Sequence, residues 1–182
     1  MSSVTGEERM DVVVLSLGSN LGDREAHLRG VVRALGDDLL VVSGVYETPP
    51  WGDADQPNYL NAVAIVGHAG RTVEQWLDFA QRCEQSAGRE RDPGRRFAPR
   101  TLDVDLIAAT TADGEPVLRD TAALTLPHPR AHLRAFVLRP WLEAQPYARL
   151  PGHGWVYDLI RAEPVATDVL AMWARPEISL ES

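Results

Sequence analysis

The feature that most constrains this chain is an alternating run in which Leu102, Val104 and Leu106 enclose Asp103 and Asp105. Period-two alternation is typical of a β-strand with one buried face. Both carboxylates then leave the strand on its other face, with Cα atoms ~7 Å apart. Such a pair suits two hard cations lying ~3.5–4 Å from each other, the spacing of two-metal phosphoryl-transfer sites.

Arginines are concentrated directly before this strand. They are Arg89, Arg91, Arg95, Arg96 and Arg100. Guanidinium groups and Mg²⁺ are complementary ligands of a polyphosphate, so the two features together predict a nucleotide site. The alternative is a polar edge strand with solvated carboxylates that follows a charged loop, and the residues alone leave it open.

Composition narrows the class of protein. The 182 residues are 45% hydrophobic and 24% charged, which predicts one globular domain. A net charge of −8 argues against a general nucleic-acid binder. One cysteine, Cys83, excludes an intrachain disulfide and fits the cytoplasm, where we expect the protein. We find no signal-peptide pattern and no apolar stretch of membrane-spanning length, so we expect no membrane contact.

Hydrophobic periodicity predicts a β-α-β-β-α-β order. The predicted elements are a strand at Val12–Leu17, a helix through Leu28, Val31, Val32 and Leu35, a strand at Leu39–Tyr46, a long loop at Glu47–Asn58, a strand at Tyr59–Val66, a helix that opens at Thr72 and stops at Gly88, and the aspartate strand. This order predicts an α+β, ferredoxin-like antiparallel sheet with helices packed on one face.

The remaining segments are expected to flank a single domain. Residues 1–11 are predicted to be a flexible N-terminus, 12–160 the catalytic domain, and 161–182 a C-terminal extension with one helix and a tail. Ala131–Leu138 is expected to form a short helix or turn that ends before Pro140.

Five segments in order carry a resemblance to a known family. They read LGSNLGDR (17–24), YETPPWG (46–52), QPNYLNAV (56–63), RFAPRTLDVDL (96–106) and LPHPRAHLRAFVL (126–138). With them the chain resembles the 6-hydroxymethyl-7,8-dihydropterin pyrophosphokinases of folate biosynthesis. The resemblance implies a ferredoxin-like fold and transfer of a pyrophosphoryl group from ATP to the pterin's hydroxymethyl oxygen, with release of AMP.

The same resemblance implies roles for individual residues. Asp103 and Asp105 match the ligands of two Mg²⁺ ions, and Arg89 and Arg100 match catalytic arginines. The positions on the ATP side are Gln81, Glu84, Arg91, Arg96, Leu106, Thr125, His128 and Arg134. The positions on the pterin side are Thr48, Pro50, Trp51, Tyr59, Asn61 and Phe136. Small molecules are the expected partners, and a monomer is expected.

Other readings remain open at this stage. The same aspartate pair could serve a two-metal phosphohydrolase or a nucleotidyl transferase, which would need no pterin slot. A ferredoxin-like binding domain without chemistry is the third possibility. For single residues the alternatives are structural: Phe136 as a core residue, Gln81 and Glu84 on a solvated helix face, and His128 as a structural histidine.

Overall fold

A computed structural model of the chain describes residues 10–88, 93–95, 97 and 99–182. The helices and strands in chain order are β1 (Val12–Ser19), α1 (Arg24–Leu35), β2 (Leu39–Val42), β3 (Tyr46–Thr48), β4 (Tyr59–Gly67), α2 (Val73–Ser86), β5 (Asp103–Thr110), β6 (Arg119–Asp120), β7 (Thr125–Leu126), α3 (Ala135–Ala144), β8 (Arg149–Leu150), β9 (Gly154–Trp155), α4 (Val156–Leu159), α5 (Val165–Leu170) and β10 (Trp173–Ala174). The fold is α+β, as predicted.

One antiparallel sheet organises the molecule. Its strands lie in the order β10-β3-β4-β1-β5, and β2 also pairs with β4. The register places Gly18 of β1 opposite both Asn61 of β4 and Asp103 of β5. Polar residues from three separate sequence segments therefore meet at one end of the sheet.

Helices α1 and α2 cover one face of the sheet. Their buried side chains, among them Leu28, Val31 and Trp76, pack against Leu15 and Val104 of the strands. Helix α1 begins at an N-cap, Asp23, whose carboxylate accepts from the Ala26 N–H. Helix α2 begins with the predicted capping box of Thr72 and Gln75.

The opposite face of the sheet is also covered, and the sequence analysis did not predict this. Helix α3 packs Leu138 and Trp141 against Val63, Ile65 and Ile107, with α4 and α5 outside it. The helix runs through Pro140, so the expectation that it ends before this proline is wrong. Proline removes one backbone N–H, and the buried residues on either side of it keep the helix in register.

The predicted strand Leu39–Tyr46 is interrupted. The hydroxyl of Ser43 accepts from the Val63 N–H at 2.9 Å, and the Gly44 N–H donates to Glu143 of α3. These side-chain acceptors replace ladder partners, so β2 and β3 are separate strands. Glu47, expected in the loop, belongs to β3.

The C-terminal segment is part of the sheet. The predicted helix is confined to α5, and β10 then pairs with β3 through Trp173 opposite Glu47. Ile178 and Leu180 are buried in the core under α1 and α2. Within the described residues no helix is long and apolar enough to cross a membrane.

Candidate active site

A cleft of about 540 Å³ of empty space opens at the polar end of the sheet, on the face that α3 covers elsewhere. Its lining residues are Ser16, Gly18, Thr48, Pro49, Trp51, Tyr59, Asn61, Phe97, Arg100, Asp103, Asp105, Arg134 and Phe136. Nine of the residues predicted from the sequence to form the site are in this set. These nine residues come from three strands, two loops and the start of α3, so the tertiary structure brings them together.

Asp103 and Asp105 lie on one face of β5, as the alternation predicted. Val104 and Leu106 point into the core on the other side. The pKa of Asp105 is raised above its usual value, first because neighbouring protein atoms replace part of its hydration and second because the charge of Asp103 lies nearby. A divalent cation between these groups would remove this repulsion.

Two arginines flank the carboxylates. Arg100 Nη1 donates to Asp103 Oδ2 at 2.8 Å, and Arg134 Nη1 lies 3.6 Å from Asp105 Oδ2. The guanidinium carbon of Arg134 lies 5.1 Å from the ring centroid of Trp51 and 5.6 Å from that of Phe136. Its Nε is buried and has no hydrogen-bond partner among the described residues. A buried donor without an acceptor indicates a place for a ligand oxygen.

His128 stands beside Arg134, with Nε2 3.5 Å from its Nη1. Burial, and then the charge of Arg134, lower the pKa of His128 to about 4. Its Nδ1 accepts from the Arg130 N–H, and its Nε2 faces the guanidinium of Arg134. The imidazole is therefore a neutral polar group at the edge of the cleft.

An amide and aromatic rings form a second wall of the cleft. Asn61 is 3% exposed, and its Nδ2 donates to Thr48 Oγ1 at 2.6 Å. A Cβ atom at Gly18 would come within 2.9 Å of Asn61 Oδ1, so glycine is required for the amide to lie there. Tyr59 and Phe136 line the same space.

Two loops meet above this wall. The rings of Trp51 and Phe97 contact edge to face at 5.7 Å between centroids. Gln56 Nε2 donates to the carbonyl of Phe97 at 2.7 Å, and Arg95 pairs with Asp53. The loop before β4 and the loop before β5 therefore contact each other directly.

Some predicted site residues lie elsewhere. Pro50 lines a neighbouring cavity behind the wall. Gln81 is exposed on α2, and Thr125 is half-buried in β7. Leu106 directs its side chain into the core, so a ligand could use only its backbone. Arg89, Arg91 and Arg96 lie outside the described residues.

Glu84 is neither solvated nor in the cleft. It is 8% exposed, and its Oε1 accepts from the Val104 N–H at 2.9 Å. This carboxylate ties α2 to the outer edge of β5, directly between the two aspartates in sequence. Its predicted contact with a nucleotide stays a prediction.

Sequence reasoning assigned no role to several residues that build the site. Ser16 and Gly18 line the cleft, and their alternation with Leu15 and Leu17 was the available signal. Asn20 was quoted only within a motif. It exchanges two hydrogen bonds with the backbone of Arg100 and donates to Gln56 at 2.8 Å, so it fixes the backbone position of Arg100.

A family model and individual relatives both match this chain, and they name the same family. Residues 14–146 match the model of the family described as 7,8-dihydro-6-hydroxymethylpterin-pyrophosphokinase (HPPK). A Mycobacterium bovis protein named 2-amino-4-hydroxy-6-hydroxymethyldihydropteridine pyrophosphokinase is 45% identical over 181 residues, 95% of each chain. A Mycobacterium leprae protein of the same name is 48% identical over 167 residues, 87% of this chain and 86% of its own.

Solved structures agree at the level of the fold. An HPPK-DHPS complex with substrates aligns with a TM-score of 0.58 at 9% identity, over 84% of this chain. A Plasmodium falciparum HPPK-DHPS aligns with a TM-score of 0.62 at 10% identity, over 92%. The chain spans less than half of these two solved chains, 43% and 47%.

Proposed function

The chain belongs to the 7,8-dihydro-6-hydroxymethylpterin-pyrophosphokinase family, and from this premise we propose how its cleft performs the reaction. The enzyme transfers a pyrophosphoryl group from ATP to the hydroxymethyl oxygen of 6-hydroxymethyl-7,8-dihydropterin and releases AMP, a step of folate biosynthesis. One observation carries the assignment of the site: a carboxylate–arginine wall and an amide–aromatic wall line a single cleft.

The amide–aromatic wall is proposed to hold the pterin. A side-chain amide offers both a donor and an acceptor, which the aminopyrimidinone edge of a pterin requires. Asn61 donates to Thr48, so its Oδ1 can accept from the ligand, and the Thr48 hydroxyl can donate in turn. Tyr59, Phe136 and Trp51 supply apolar surface for the planar ring system.

The carboxylate wall is proposed to hold Mg²⁺. The described residues contain no group of three or more His, Cys, Asp or Glu side chains arranged for a metal. Two carboxylates fit Mg²⁺ nonetheless, since this ion commonly takes one or two carboxylates and completes its shell with phosphate oxygens and water. The raised pKa of Asp105 means that its negative charge is not fully compensated by the protein, which supports a cation at this position. Asp103 and Asp105 would hold the two ions expected, which supply charge neutralisation and a lowered pKa for the attacking hydroxyl.

The arginines and His128 are proposed to act on the phosphates. Arg100, fixed through Asn20 and Asp103, presents a planar fork to charge that develops on the transferring group. Arg134 offers its buried Nε, and neutral His128 adds a polar imidazole beside it. Arg89 keeps the catalytic role that the family resemblance implies.

We also propose that the core of the fold is a ferredoxin-like arrangement. The order β5-β1-β4-β3, with α1 and α2 connecting the strands on one face, supports a ferredoxin-like arrangement to which α3–α5 are added. We further expect a monomer in the cytoplasm, and sedimentation of the purified protein tests the oligomeric state.

A product analysis tests the function. The protein is incubated with ATP and Mg²⁺, with and without the hydroxymethyl pterin, and the nucleotides are separated. AMP that forms only with pterin supports the pyrophosphokinase. ADP or free phosphate would instead indicate a phosphohydrolase, and no turnover would indicate a binding domain. The Asp105→Asn variant controls for contaminating enzymes, because it should form no AMP.

A further inference from the structure

The C-terminal segment lies against the strand that carries part of the pterin wall. Strand β10 pairs with β3 through Trp173 opposite Glu47 and Ala174 opposite Tyr46. The Arg175 N–H adds a bond to the carbonyl of Val45 at 2.8 Å. The edge strand β3, only three residues long, thus gains a second neighbour beside Thr48, which lines the cleft.

Glu47 connects this segment to the other side of the wall. Thr48 directs its side chain toward the cleft, so Glu47, the preceding residue in the strand, faces the opposite side of the sheet. There its carboxylate pairs with both Arg24 of α1 and Arg175. Arg24 also donates to the carbonyl of Asn58 at 3.0 Å, the residue before Tyr59. One half-buried carboxylate therefore joins the backbones on which Thr48 and Tyr59 stand.

The C-terminal segment also lies behind the aromatic wall, across a second cavity. A separate cavity is lined by Pro49, Trp51 and Phe136 on one side and by Ala171 and Met172 at the end of α5 on the other. The first three residues also line the cleft. The aromatic wall is therefore a partition with ligand space in front of it and the C-terminal segment behind it. Met172 packs in the same apolar cluster as Phe136.

We propose that Arg175 and Met172 are positioning residues for the pterin: Arg175 acts through Glu47 on Thr48, and Met172 acts on Phe136 and Trp51. The inference rests on the proposed function of the cleft. Neither residue lines the cleft itself. Their effect is preorganisation, because a wall that is held in place before binding loses less conformational freedom when the ligand arrives. The described residues that line the rear cavity include none of the carboxylates and arginines of the phosphate side, and Arg134 lies against Trp51 and Phe136 within the cleft.

Arg175→Gln tests the first contact, and Glu177→Gln is its matched control. Glu177 pairs with Nε of the same guanidinium, whereas Glu47 pairs with its Nη1. We expect Arg175→Gln to raise the KM for pterin roughly three- to tenfold, with the KM for ATP unchanged. Arg175→Lys should recover part of the loss because it keeps the charge. Glu177→Gln should behave like the wild type.

Met172→Ala tests the second contact, and Leu170→Ala is its control. Leu170, the last residue of α5, is 87% exposed and is not among the residues that line the rear cavity. Met172→Ala removes atoms from behind the partition, so the KM for pterin should again rise roughly three- to tenfold and the KM for ATP should not. All assays run at a temperature where thermal unfolding curves show each variant folded.

The outcomes separate this inference from the proposed function. A wild-type protein that forms no AMP overturns the function. A wild-type protein that is active, with an unchanged pterin KM in both variants, overturns the inference alone. Equal increases in both KM values, or a fall in Tm without any change in KM, also overturn it, because they mark a general structural role. A selective rise in the pterin KM supports it.

Discussion

One face of the sheet is covered by helix α3 at one end and is open to the cleft at the other. At the covered end, Val63, Ile65 and Ile107 lie beneath Leu138 and Trp141 of α3 and are buried. At the open end, the same strands β4 and β5 present Asn61, Asp103 and Asp105 to the cleft. The two sets differ by only a few residues along each strand, and they share one face through the period-two alternation of the sheet.

The difference indicates that the covered end contributes mainly to stability, whereas the open end carries the functional groups. The covered end provides apolar burial, which is the main source of folding free energy. The open end keeps like charges close together and leaves a buried donor, Arg134 Nε, without a partner among the described residues. Functional groups on paired strands are held more precisely than groups on loops. The packing at the covered end therefore helps to hold the side chains of the open end in place.

The largest expected effect concerns the carboxylates of the open end. Asp103→Asn and Asp105→Asn should each lower turnover on the order of 10³-fold, because they remove cation binding that is worth several kcal/mol in the transition state. The free energy of unfolding should be unchanged or higher, since two like charges are no longer adjacent. AMP formation and urea unfolding measure the two quantities. Near-wild-type turnover in either variant would show that the metal assignment is wrong.

Trp141→Ala tests the covered end and should have the reverse signature. The side chain is 2% exposed, so its loss should reduce the free energy of unfolding by about 3–5 kcal/mol. The pterin dissociation constant should change little while the protein is folded. Tyr147→Ala is the control, because this aromatic residue is 85% exposed. A large loss of pterin affinity in folded Trp141→Ala would mean that the two ends are not independent.

Arg100→Ala should separate chemistry from binding within the open end. An arginine that acts on developing charge lowers the barrier, whereas one that holds ground-state phosphate only increases affinity. We expect kcat to fall about 10²–10³-fold, equivalent to ~2.7–4 kcal/mol, with a modest change in the ATP dissociation constant. Single-turnover kinetics and equilibrium binding check this. Weak ATP binding with an intact single-turnover rate would make Arg100 a ground-state clamp.

The smallest expected effect is the pH dependence of stability due to His128. Its pKa falls from 6.5 to about 4 in the folded state, so between these values the unfolded chain binds more protons. Its contribution to stability is therefore present above pH 6.5 and is lost as the pH falls toward 4. Because the ring is half-buried, we expect only about 1–2 kcal/mol. In urea unfolding, the wild type should lose this much stability relative to His128→Asn as the pH falls from 6.5 to 4, and a constant difference would contradict the assignment.

Local signals predicted much of the fold. Strand β1, helix α1, strand β4 and the capping box of α2 follow from periodicity and cap chemistry, which act within a few residues. The interruption between β2 and β3 was not predicted, because the residues that cause it are distant in sequence. Ser43 bonds to Val63, and Glu143 reaches Gly44.

The candidate site also has a part that the sequence predicted and a part that it did not. The alternation at Asp103 and Asp105, and the family resemblance at Thr48, Tyr59, Asn61 and Phe136, pointed to residues that do line the cleft. Their roles in binding and catalysis stay predictions. The requirement for glycine at position 18 was not visible from the sequence, because it arises from the approach of the Asn61 amide across two paired strands.

By itself the sequence determined which face of β5 carries the carboxylates, since alternation is a property of the strand alone. It also determined the family, through five motifs whose order is a property of the chain. Only the tertiary structure decided which part of that face is open, because the coverage by α3 depends on packing between distant segments. It likewise decided that the last residues pair with β3 and reach Glu47, because an edge strand accepts any extended segment that the rest of the fold delivers to it.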